Sequence, residues 1–152
     1  MSSRSHLRAF ALPPIVLCAL VVSGCSGAST LGADPRELAE GTWGGADAGL
    51  LLDDARAHVH FGCTYGDFPA PIALDEDGRF SVSGEYLIRA FPVAVGPPLP
   101  AELAGVVRGR ELTMTVAVND TVEDRLVVFG PATVRFGEEP QMQMCPICET
   151  PD

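Results

Sequence analysis

Residues 110–120 read RELTMTVAVND, and their apolar side chains fall on every second position. Leu112, Met114, Val116 and Val118 lie on one face, and Thr113, Thr115, Ala117 and Asn119 on the other. A period of two is the mark of an antiparallel strand with one face buried and one wet. GRFSVSGEYLI, residues 78–88, repeats the pattern with Phe80 and Val82 inward. AHVHFGC, residues 57–63, places Val59, Phe61 and Cys63 on one side and His58 and His60 on the other. RLVVF and ATVRF extend the set toward the C-terminus. Turn-forming residues separate these runs: Asp53-Asp54, Asp75-Glu76-Asp77-Gly78, Gly109 and Glu123-Asp124. About eight strands follow in close succession with no helical stretch between them. Such a chain leaves no sheet edge open if it curls into a barrel, or shields its edges in a sandwich. The expected fold is an all-β antiparallel meander barrel, with a β-sandwich as the alternative.

Before the strands, DPRELAEG at 34–41 carries a capping residue, Asp34, then Pro35, then Glu37 where a capping-box acid stands. A short helical turn is expected over 35–40. Two segments read as apolar loops: TYGDFPAP at 64–71, and FPVAVGPPLPAE at 91–102 with its four prolines.

The N-terminus has a different character. Arg4 and Arg8 precede an unbroken apolar run from Ile15 to Val22, which ends in Ser23, Gly24 and Cys25. This is the layout of a secretory signal peptide, and residues 1–24 are expected to be removed. Val22-Ser23-Gly24-Cys25 resembles the lipobox of bacterial lipoproteins. The resemblance implies cleavage before Cys25, diacylglycerol on its sulfur and an acylated amine. Two or three acyl chains make a lasting anchor where one holds only marginally. Residues 26–33, SGASTLGA, then form a flexible tether reaching at most about 28 Å. The expected organisation is a signal over 1–24, a lipidated Cys25 with its tether over 25–33, and one barrel domain over 34–152.

Beyond residue 24 the chain holds eight arginines, no lysine and 20 acidic residues, a balance of −12. That charge repels nucleic acid phosphates and anionic headgroups, so the expected membrane contact is the lipid alone.

Gly41-Thr42-Trp43 opens the first strand. It is similar to the G-x-W opening of lipocalins and related calycin barrels, in which the tryptophan closes one end of the barrel. In those barrels a late arginine packs on the tryptophan, and Arg135 is the nearest candidate. Its alternation with Val134 and Phe136 nevertheless points it outward. GTWGG, HFGC and CPIC are also similar to stretches of uncharacterised bacterial lipoproteins, a likeness that implies no activity.

Cys18 leaves with the signal and Cys25 takes lipid, so Cys63, Cys145 and Cys148 remain. In an oxidising compartment the expected arrangement is a staple from Cys63 to Cys145 or Cys148. A redox couple within Cys145-Pro-Ile-Cys148 lacks the helix that lowers a thiol's pKa. A structural zinc set of the three cysteines with His58 or His60 is a further alternative. No nucleophile elbow, phosphate loop or metalloprotease helix occurs, and no enzyme activity, cofactor or resident metal is expected. Two functions remain open. One is a lipid-anchored, monomeric interaction or structural module of the cell envelope. The other is a carrier of a small apolar ligand inside the barrel.

Overall fold

The alternation of Leu112, Met114, Val116 and Val118 has the packing it calls for: all four are fully buried, while Thr113, Thr115 and Ala117 are partly exposed. The same rule holds around the molecule and closes it. The structure, a computed structural model, describes residues 36–90 and 96–145. Eight strands follow in chain order: β1 Gly41–Gly45, β2 Ala48–Leu52, β3 Arg56–Phe61, β4 Thr64–Pro69, β5 Arg79–Leu87, β6 Leu99–Arg108, β7 Glu111–Asp120 and β8 Arg125–Phe136. Each pairs antiparallel with the next, and β8 returns to β1, giving a closed meander barrel. The sandwich alternative is set aside by that closure.

The turns are made by the residues that announce them. Asp53 accepts backbone hydrogen bonds from Ala55 and Arg56 through one carboxylate oxygen, at 2.9 and 2.8 Å. Asp75 does the same for Asp77 and Arg79. Short acidic side chains mimic a backbone acceptor in this way and fix a tight reversal.

Four readings of the sequence need correction. No helix occurs over the described residues 36–40. Leu38 instead donates to the Ile72 carbonyl at 2.9 Å, Leu74 donates to Arg36 at 2.6 Å, and Glu37 bridges Ala73. A single helical turn gains little against its nucleation cost, whereas the extended form buries Leu38 against the core. TYGDFPAP is a strand over 64–69, because Gly66 and Phe68 face inward and are buried. Leu99–Glu102 of the second apolar loop belongs to β6, with Leu99 and Ala101 buried. RLVVF and ATVRF form one strand. Gly130 and Pro131 together oppose Thr115 in a bulge, where the register shifts between Met114 and Val116. A bulge tolerates a proline, which has no ladder hydrogen to give.

One hydrophobic cluster lies inside the barrel. Trp43, Phe68, Tyr86, Leu103, Met114 and Val134 are among its fully buried members. Trp43 packs edge-on against Phe136 at 5.1 Å, and its indole N–H donates to the Ala39 carbonyl at 3.0 Å. Trp43 is thus held within the core by both contacts. Phe136 stands beside it in the place proposed for Arg135. Arg135 pairs with Glu111 on the outside and does not reach the indole.

Candidate binding recess on the outer wall

Strand parity sets out this face. Val59 points in, so His58 and His60 point out. The register then lines up Leu51 of β2, His58 of β3 and Asp67 of β4 in one row, and Gly49, His60 and Tyr65 in the next. His58 Nδ1 lies 2.7 Å from the Asp67 carboxylate. Its Nε2 lies 2.8 Å from Nε2 of His60. The Tyr65 ring leans on both imidazoles, with centroids at 5.7 and 5.5 Å. Arg56 stands 3.6 Å from Asp67. Partial burial holds the His60 imidazole below its usual pKa, and the neighbouring His58 adds to this; Asp67 opposes it. His60 therefore stays neutral, with a lone pair to offer, further into the acid range than an exposed histidine would.

The C-terminal segment covers this wall. Gly137 donates to Thr42 at 2.7 Å and Gln141 to Gly45 at 2.9 Å, while Asp47 donates back to Gln141 at 3.1 Å. Asp47 also accepts from the Gln143 amide at 3.0 Å. Two glycines make room for it. A Cβ on Gly44 would collide with the backbone of Glu138 and Glu139, and one on Gly49 with the Pro140 ring. The segment ends in a disulfide from Cys145 to Cys63, which sits in the β3–β4 turn. Between segment and wall is an open recess of about 300 Å³, lined by Leu51, His58, His60, Pro140 and Met142 among others.

Of the residues singled out in the sequence, Trp43 is buried in the core and Arg135 lies outside. His58 and His60 face the recess and Cys63–Cys145 ties down its cover. Cys25 and Cys148 lie outside the described residues. The zinc set loses two of its three thiolates to the disulfide. His58 and His60 also lie on the outer face, as their parity requires. Among the described residues no three histidine, cysteine, aspartate or glutamate side chains converge to hold a metal ion.

Asp67 and Tyr65 were hidden because prolines at 69 and 71 made their strand read as a loop. Their spacing of two within TYGDF was the available signal. Met142 has no such signal, since only the tertiary fold brings it to the histidines. A second polar cluster, also unforeseen, closes the β7–β8 turn. The buried Asp120 accepts from Arg89 at 2.8 Å and from the backbone of Val122 and Glu123. The Arg89 guanidinium is foremost in holding the Asp120 carboxyl below its usual range.

No protein-family model, curated protein or solved structure matches the chain.

Proposed function

We propose that this chain is a lipid-anchored module of the bacterial cell envelope that acts by non-catalytic binding at the outer wall of its barrel. The observation that carries this reading is where the space lies. Trp43, Phe68, Tyr86 and Met114 occupy the interior, and the recess opens outside, between the wall and the C-terminal segment. A small barrel filled by its own side chains is a scaffold, not a container. The lipobox-like VSGC supplies the anchor, and the short tether keeps the recess close to the membrane on the exported side. The acidic surface of the mature chain favours a cationic or neutral partner over a nucleic acid or an anionic lipid surface.

Native mass spectrometry of the full chain, purified from membranes in mild detergent, tests this. The expected result is a bound species that is lost on Leu51→Asp, a change at an exposed position on the recess wall. A bound apolar ligand unaffected by Leu51→Asp and released only on unfolding would place binding inside the barrel and overturn the reading.

A further inference from the structure

We propose that the recess is a copper(I) site, in which His58 and His60 supply imidazole Nε2 atoms, Met142 supplies its thioether, and Asp67 positions His58. This goes beyond the binding reading above and rests on it only for the face involved.

The geometry starts from the two imidazoles. Their Nε2 atoms face one another at 2.8 Å across a half-buried gap. In a three-coordinate site, two imidazole nitrogens at bond lengths of about 2.0 Å from one ion stand roughly 3.5 Å apart. A rotation of the two rings opens the gap by the further 0.7 Å, roughly, that this requires. Asp67 already takes the Nδ1 hydrogen of His58 at 2.7 Å. That contact fixes the tautomer whose Nε2 lone pair faces His60, the carboxylate–histidine arrangement that orients metal-bound imidazoles. In the metal-free chain one Nε2 must carry the shared hydrogen. With His58 fixed by Asp67, it is His60 that donates. Metal binding therefore requires His60 to change tautomer, its proton moving to Nδ1, with no net proton released.

The donor set selects the metal. Among the described residues no third histidine, cysteine or carboxylate joins the pair. Asp67 is engaged with His58, and the nearby Cys63 is held in its disulfide. Zinc, which favours four donors, is poorly served. What the recess adds is Met142, held over the wall by the hydrogen bonds of Gln141 and Gln143 on either side. Thioether sulfur with imidazole suits soft, low-coordinate copper(I) and disfavours hard cations. The open side of the recess leaves an entry path for the ion.

The test uses the full oxidised chain in detergent, without thiol reductant and under anaerobic conditions. Copper(I) is titrated against the chromophoric chelator bathocuproine disulfonate. One equivalent of copper(I) is expected to be withdrawn from the chelator. His58→Gln and His60→Gln should each reduce binding to background, and Asp67→Ala should weaken it about 10- to 100-fold. X-ray absorption of the copper-loaded chain should show one sulfur neighbour, absent in Met142→Leu. Silver(I), a closed-shell substitute, reports on the unmutated chain by shifting the ring protons of His58 and His60 and the Met142 methyl in NMR spectra.

Binding equal in the wild type and the His58→Gln/His60→Gln double variant overturns the site. So does a sulfur signal that persists in Met142→Leu, or displacement of copper(I) by equimolar zinc. A chain that refuses copper(I) yet loses its native bound species on Leu51→Asp overturns the copper site while leaving the outer-wall reading intact.

Discussion

Trp43 shows how one side chain commits the molecule. It is buried in the core, leans on Phe136 and spends its only polar atom on the Ala39 carbonyl. Trp43→Ala leaves a large void and an orphaned carbonyl, and should cost about 3–5 kcal/mol in urea unfolding. Asp120 sets a different expectation. Its folded pKa lies below the unfolded value of 3.8, chiefly because Arg89 donates to it. A depressed carboxylate contributes stability that is complete above the unfolded pKa and is lost as pH falls through the folded one. Unfolding midpoints measured from roughly pH 6 to pH 2 should therefore show wild type and Asp120→Asn far apart at the upper end and converging at the lower.

Among the elements, the C-terminal segment has the least apolar patterning and the most demanding position. Hydrogen bonds to Thr42, Gly45 and Asp47 hold it, and the Cys63–Cys145 bond closes a loop of 82 residues. A loop of that length contributes about 4 kcal/mol in the chain-entropy model. Cys145→Ser should lower stability by up to that amount, and should speed hydrogen exchange at the Gln141 and Gln143 amides before the β7 amides. Unchanged protection at those two amides would show that the wall holds the segment without the bond.

The barrel itself was legible in the sequence wherever apolar residues alternate cleanly, as in β7, and at turns with an acidic capping side chain, such as Asp53 and Asp75. It was obscured where proline stands at a strand end, as in β4 and at the start of β6, because proline's usual meaning as a breaker outweighs a short alternation. RLVVF and ATVRF stand as separate runs in the sequence because Gly130-Pro131 interrupts them; only the pairing with β7 shows the interruption to be a bulge. Of the candidate site, the histidine pair and the cysteine staple were visible. Asp67 and Met142 were not, since their contacts are made by register and by the return of the chain end.

At the scale of the whole molecule, the expected attachment is lipid and the expected surface is acidic. Cys25→Ser should abolish incorporation of labelled fatty acid and release the protein from the membrane fraction. Unchanged labelling would refute the anchor.

The bond at Cys145 also gives the protein a history. In a reducing compartment the two sulfurs stay apart. The final eight residues of the described chain are then held on the wall by hydrogen bonds and the packing of Pro140 alone, and a frayed end opens easily. On the export proposed above, the recess would mature late: its cover would be tied down only when Cys63 and Cys145 meet an oxidising compartment.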